Sequence, residues 1–244
     1  MANSSLNTIK VGGYRAIPMA TAKEWVSIYT DAATNIVAKQ PFAFPAYDQY
    51  RADDNHPHVL DDADLLAPAL LNVTISIRSF YALQQQRDRL QHALTAEELS
   101  RPLAALSDKQ IETHIGGLFA ILDGVASVEG DDGSISSTLP GISGTKLSKV
   151  LHRKRPQSVP LHDKWVLSCY VGDAGHPVRR AKRRTWREYM TLVAQEMASD
   201  LREQPVQFEI LQTASKASPP LTDLRLLDII AWNVGRHPRG DFST

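Results

Sequence analysis

The sequence predicts an all-α protein of two helical lobes meeting at a helix–hairpin–helix, on three observations. Apolar residues recur at helical rather than alternating spacing through most of the chain. Helix-opening patterns, a Ser, Thr or Asp with acids or amides in the following turn, recur along it. A Pro-Gly turn, Leu139-Pro140-Gly141-Ile142-Ser143-Gly144, stands directly before a basic amphipathic stretch.

In chain order, Trp25, Ile28, Tyr29, Ala32 and Ile36 predict a helix after Thr21. Pro41, Pro45 and the stretch from Asp53 to Pro57 predict a long loop. Asp61, Asp62 and Asp64 suit a first turn, ahead of Leu65, Leu66, Ala69, Leu70, Val73, Ile77 and Phe80, with Pro68 early in that helix. Thr95 with Glu98, and Ser107 with Gln110, have capping-box form and predict two more helix starts. Gly130-Asp131-Asp132-Gly133 reads as a turn, and a short helix is expected from Ser134 to Leu139. Further helices are predicted from about Thr145 to Arg153, from near Asp163 through Tyr170, and from Trp186 to Leu201. A last one follows Thr222-Asp223 and runs to Trp232. Val206 to Leu211 is the one plausible strand.

At 244 residues, 43% hydrophobic and 22% charged, the chain has the composition of a soluble globular protein and the length of a single helical domain, 1–244. A single cysteine, Cys169, excludes an internal disulfide, a Cys-rich zinc site and a four-Cys iron–sulfur cluster, and points to a reducing, cytoplasmic setting. The polar start from Met1 to Lys10 does not read as a secretory signal. The apolar run from Leu65 to Ile77 is too short to span a bilayer, so no membrane partner is expected. The formal net charge is zero but unevenly spread. Between Lys146 and Arg187 twelve basic residues face only Asp163 and Asp173. A balanced total can therefore conceal a positive face, the kind that attracts a phosphate backbone.

Within 134–166 the hairpin and a following acid form one unit. Gly141 and Gly144 supply positions that tolerate unusual dihedrals and close backbone approach. Leu139, Ile142, Leu147 and Leu151 would pack the two helices. Amides at Gly144 and Thr145 would open the second helix towards a phosphate, with Lys146, Lys149 and Arg153 adding charge. Such a stretch is either a phosphate-binding hairpin or a helical turn in an ordinary all-α core. Val159-Pro160-Leu161-His162-Asp163 then delivers one carboxylate. Asp163 is either a catalytic acid or the cap of the helix that starts there.

These residues resemble the helix–hairpin–helix DNA glycosylase superfamily over about Ser134 to Val166. The superfamily pattern runs roughly Leu-Pro-Gly-Val-Gly-x-Lys-Thr-Ala, then a helix, then Pro-Val-Asp. Without a gap, Gly141 falls on the first motif glycine, Thr145 on the lysine position of bifunctional members and Asp163 on the catalytic Asp. Thr145 and Asp163 are 18 positions apart, the spacing of that family. Ser143 replaces the second motif glycine, and Trp165 replaces the usual His or Asn two positions after the Asp. Thr145 carries no amine, so no Schiff base can form there. A one-residue shift would bring Lys146 into that position but displace Leu147 from a small packing site, which leaves Lys146 a phosphate contact or an alternative nucleophile.

The resemblance implies a DNA glycosylase-like fold and a DNA partner. It further implies monofunctional base excision without lyase activity, in which an ionised Asp163 stabilises the developing sugar cation or orients a water. No cofactor is implied, beyond a monovalent cation that the hairpin carbonyls could hold. A non-catalytic nucleic-acid-binding or interaction protein on the same scaffold is the alternative. A narrower resemblance covers most of the chain. The segments Thr145–Leu151, Lys154-Arg155-Pro156, Pro160–Asp163 and Leu224–Trp232 resemble an actinobacterial family of unknown function with a Ser-Lys-Leu-Leu…Lys-Arg-Pro…Pro…Asp core.

Arg179, Arg180, Lys182 and Arg183, with Arg184, form the densest basic cluster and either track a phosphate backbone, the reading favoured here, or form a solvated loop and helix start; phosphate contacts give affinity rather than sequence readout. Tyr47 and Asp48 are candidates to line a base pocket, or else to anchor their loop to the core. His162 and Trp165 flank the acid and complete that candidate pocket. His56, His58 and the aspartates near them match no defined zinc spacing, so no metal site is expected.

Overall fold

A computed structural model describes residues 4–37, 44–50, 56–123 and 141–237. The chain is mostly helical, as its spacing requires. Leu139, Pro140, the predicted 134–139 helix and the 130–133 turn lie outside the described residues.

The chain enters through a hairpin of β1 (Thr8–Val11) and β2 (Arg15–Pro18), antiparallel with Ile9 opposite Ile17. Gly12 and Gly13 turn it at φ 63° and 70°, a region that favours glycine. Their amides donate to the Asp200 carboxylate at 2.7 and 3.0 Å, and Tyr170 Oη donates to it at 2.9 Å. The first helical stretch breaks at Asp31 into α1 (Met19–Thr30) and α2 (Ala32–Val37). The expected loop beyond it contains α3 (Phe44–Gln49).

The single helix expected over Asp61 to Phe80 is instead three pieces. Asp61 caps α4 (Asp62–Leu66) in a reciprocal box with Asp64. A 3-10 turn, Ala67–Leu71, then accommodates Pro68 and ends at Asn72, left-handed at φ 57°. The chain restarts at α5 (Ile77–Gln85), capped by Ser76. After α6 (Arg87–Leu94), Thr95 terminates a helix rather than opening one, its hydroxyl donating to the His92 carbonyl. Ser107 does form its capping box with Gln110, opening α7 (Asp108–Gln110). That helix continues as a π-helical stretch, Ile111–Gly116, and as α8 (Gly117–Phe119).

The second half follows its sequence signals closely. It comprises α9 (Gly144–Lys154), α10 (Lys164–Tyr170), α11 (Trp186–Glu203), α12 (Pro205–Gln212) and α13 (Asp223–Arg236). Val206 to Leu211, read as a strand, lies in α12, where Pro205 at the first helical position suits a helix start. Two short parallel strands, β3 (Val171–Gly172) and β4 (Val178–Arg179), lead into the basic segment.

Buried apolar side chains from Ile9 to Val234 form one connected cluster. Helix α13 runs through it, with α1, α10 and α11 packed around it. Gly235 permits the close approach of α10: a Cβ there would stand 2.0 Å from the Trp165 carbonyl oxygen. Among the described residues no helix is long and apolar enough to cross a membrane.

Candidate functional site

Helix α9 is the spine of the site. Ser143 caps it by accepting from the Lys146 amide at 3.3 Å, and Gly141, at φ 88°, turns the chain into that cap. Four helices start at this junction. Gly141 packs against the opening turn of α5, where a Cβ would meet the Ser79 amide at 3.1 Å. Gly144 lies beneath the Trp186 ring at the start of α11. Thr145 Oγ1 is 3.1 Å from His162 Nδ1, which ties α9 to the loop that opens α10. The positive ends of four helix dipoles are therefore gathered around Gly141 to Thr145.

The fit at Gly144 has a measurable consequence. An added Cβ would stand 2.2 Å from two atoms of the Trp186 ring, and Trp186 is 1% exposed. Gly144→Ala is expected to destabilise the protein by about 1–3 kcal/mol, the range for overpacking a filled core. A urea titration measures it, and an unchanged midpoint would contradict the packing described.

Asp163 carries two roles on its two oxygens. It caps α10, Oδ1 accepting from the Trp165 amide at 2.9 Å. Oδ2 lies 4.0 Å from Lys149 Nζ. The carboxylate is 25% exposed, whereas the Lys149 side chain is 4% exposed. Lys149 thus does not reach outward to a phosphate; it points into a cleft of about 40 Å³ whose lining includes Tyr29, Asp163, Arg225, Asp228 and Trp232. Burial pushes the Lys149 ammonium below its ordinary range, while Asp163 and Asp228 pull it back up.

Behind that cleft is a buried charge cluster. Arg225 donates to both Asp48 oxygens, at 2.7 and 3.2 Å, and to Asp228 Oδ2 and Tyr29 Oη. Burial works against the Arg225 charge, but Asp48, Tyr29 and Asp228 outweigh it and hold the guanidinium firmly protonated. Burial pushes the Asp228 carboxyl up to about 6, despite the lowering effect of Arg225 and Lys149. Asp228 Oδ1 is buried and accepts no hydrogen bond from the described residues.

The remaining candidates are distributed as follows. Lys146 donates to Ser79 Oγ at 2.7 Å and to the Gly141 carbonyl at 3.1 Å. Its ammonium therefore sits on the Gly141 carbonyl, in the segment whose carbonyls were expected to be able to hold a monovalent cation. Tyr47 donates to the Lys149 carbonyl at 2.5 Å. With Asp48, His152, Arg153 and Arg225 it lines a separate cavity of about 120 Å³, so Tyr47 and Asp48 are not gathered around Asp163. The Arg153 guanidinium lies 5.7 Å from the Tyr50 ring centroid. The His162 ring packs on Trp186 and Tyr189 at 5.1 and 5.9 Å between centroids. Burial, reinforced by Lys149, lowers its imidazole to about 3, so it is neutral at pH 7. Trp165 faces Lys164, 4.4 Å from its ring centroid, while Trp232 is the indole that lines the cleft.

Arg179, Arg180, Lys182 and Arg183 are exposed, as is Arg187. Lys182, Arg183 and Arg187 line an open groove of about 650 Å³ beside the start of α11. His56 and His58 are exposed, whereas Asp53 and Asp54 lie outside the described residues. Among the described residues no three or more His, Cys, Asp or Glu side chains are grouped to hold a metal ion.

In comparison with known proteins, the model of a family of unknown function, DUF6308, matches residues 22–235. No curated protein matches, and no solved structure does.

Proposed function

The chain belongs to the DUF6308 family of unknown function, and on that premise we propose that it binds DNA and acts as a monofunctional, glycosylase-like base-excision enzyme with Asp163 as its catalytic acid. One observation supports this reading: the start of α9, the loop before Asp163 and the start of α11 meet, although α11 is distant from α9 in sequence. Gly144 lies under Trp186, the Trp186 and His162 rings pack at a tilt, and His162 both pairs with Thr145 and precedes Asp163. The exposed basic residues precede Trp186 in the chain, and Lys182, Arg183 and Arg187 line the groove beside the start of α11. Backbone phosphates would be held by Arg179, Arg180, Lys182 and Arg183 and by the opening turn of α9. Asp163, fixed by its own helix and paired with Lys149, would stabilise positive charge on the sugar as the glycosidic bond breaks.

The size of the cleft favours a second reading, a non-catalytic nucleic-acid-binding protein. About 40 Å³ is far below the roughly 300–1,000 Å³ of ordinary small-molecule pockets, so a flipped base requires the cleft to open. In the second reading Asp163 is only a cap and the same basic face binds DNA.

Both readings require salt-dependent DNA binding. Duplex affinity measured from 50 to 300 mM salt is expected to fall steeply. Replacing Arg179, Arg180, Lys182 and Arg183 by Gln should flatten the log–log slope by about 0.9 for each phosphate no longer neutralised. An affinity independent of salt, or a variant with the wild-type slope, would exclude the basic face as the DNA-binding surface.

A further inference from the structure

We propose that the turn of the β1–β2 hairpin, Tyr14 with Arg15, is a stacking platform for an unpaired base, set beside the strand that leads into the basic segment. The protein then prefers DNA with a single-stranded end to a fully paired duplex. The inference rests on the DNA-binding reading and does not need base excision.

Tyr14 and Arg15 lie far in sequence from the basic segment, and the fold joins the two. Gly12 and Gly13 turn the β1–β2 hairpin, and the Asp200 carboxylate holds both of their amides. A Cβ on Gly12 would stand 2.3 Å from the Cys169 carbonyl oxygen, so the turn is packed on the last turn of α10. Tyr14 then meets the loop that follows β3. Its ring centroid lies 5.4 Å from that of His176, edge to face at 66°. His176 is seated on Gly172, where a Cβ would stand 2.4 Å from its Nδ1. Gly172 pairs with Arg179 between β3 and β4, and its carbonyl accepts from the Arg180 amide at 3.0 Å. His176 thus links Tyr14 to the strand pair that carries Arg179.

Tyr14 is 42% exposed although it belongs to a fixed turn. The Arg15 guanidinium lies 5.6 Å from its ring centroid, and Arg15 Nε donates to its hydroxyl at 3.0 Å. An aromatic ring held in this way loses little freedom on binding and offers its surface to a flat ligand. The neighbouring charge identifies the ligand. From residue 171 to 187 Asp173 is the one acid among six basic residues, and Arg179 and Arg180 are exposed. A flat group carried on a polyanion is a base of a nucleic-acid strand. Basic side chains that track the phosphates, with an aromatic ring that takes a base, are the parts of a single-strand site. In a paired duplex each base is already stacked on its neighbours. Tyr14 therefore has a base to take only where the strand is unpaired, and it takes one without reading its identity.

Affinity is measured for a fully paired duplex and for the same duplex shortened on one strand, which leaves a single-stranded end. The shortened duplex carries fewer phosphates, so charge alone would weaken its binding. The wild type is expected to bind it more tightly. Tyr14→Ala should lower its affinity by about 5–150-fold, the effect of losing one base–aromatic stack, and leave the paired duplex unaffected. Tyr14→Phe keeps the ring and should keep the preference. A wild type that binds the two duplexes alike overturns the platform, and this comparison needs no variant to fold. So does a Tyr14→Ala protein that keeps the wild-type preference. In either case DNA binding by the basic segment stands. If the wild type binds neither duplex, the DNA-binding reading falls and the platform with it.

Discussion

Replacing Arg225 with Met is expected to destabilise the protein by about 3–5 kcal/mol, the cost of breaking a buried ion pair from one side. Arg225 is 3% exposed and is the donor to both Asp48 oxygens and to Asp228. Without it two carboxylates stay buried with no cation in comparable contact. They must then take up protons or drag water into the core, and α3 loses its main polar tie to α13. Adding Asp48→Asn and Asp228→Asn removes the stranded charges and should return part of the stability. Guanidinium unfolding of the three proteins measures this. A single-variant loss below about 1 kcal/mol would mean that the cluster is solvated rather than buried.

The second large effect concerns Asp163, whose two roles separate by substitution. Asn caps a helix about as well as Asp, so Asp163→Asn should keep α10 and the stability of the fold. It removes the charge beside Lys149 and, in the base-excision reading, the charge offered to the sugar. Base release is expected to fall by roughly 10²–10⁴-fold with duplex affinity retained. Asp163→Ala removes the cap as well and should cost a further 0.5–2 kcal/mol, about the usual effect of deleting an N-cap. Equal rates of base release in wild type and Asp163→Asn would leave Asp163 a cap and nothing more.

The fold was most legible where local chemistry and tertiary packing agree. Helices α9, α10 and α13 carry an oxygen-bearing residue at the cap, Ser143, Asp163 and Thr222, followed by an apolar stripe, and each starts within a residue of its expected position. Ser107 and Gln110 likewise sufficed to start α7. The split of the 61–80 stretch was hidden because its apolar period continues through Asn72, and a left-handed Asn leaves no mark as plain as Gly or Pro. The β1–β2 hairpin did have a signal: Ile9 and Val11 alternate with polar neighbours ahead of Gly12-Gly13. Thr95 misled because a hydroxyl three residues before Glu98 serves a helix end as readily as a start.

At the site, Asp163 and the hairpin glycines could be read from spacing, whereas the surroundings of the acid could not. Lys149 sits in a run of basic residues that reads as a solvated face, and only the arrival of α10 and α13 makes it buried. Arg225 and Asp228 left a usable signal, opposite charges three residues apart inside an apolar run from Leu224 to Ile230. Such a pair is stable in a core only when further partners arrive, and these are Asp48 and Tyr29, more than 170 positions away. Trp186, which links the start of α9 to the loop before Asp163, gave no local sign of that role, since its partners Gly144 and His162 are distant in sequence.

Base excision by Asp163 is the central claim, and a glycosylase screen reaches it most directly. Duplexes carrying single damaged, mismatched or modified bases would be incubated with wild type or Asp163→Asn and then treated with alkali to cleave abasic sites. Alkali-dependent cleavage of at least one duplex by the wild type is expected, with none in the absence of alkali and none by Asp163→Asn. Every duplex left intact by the wild type, under conditions where it binds them, would contradict excision and leave DNA binding alone.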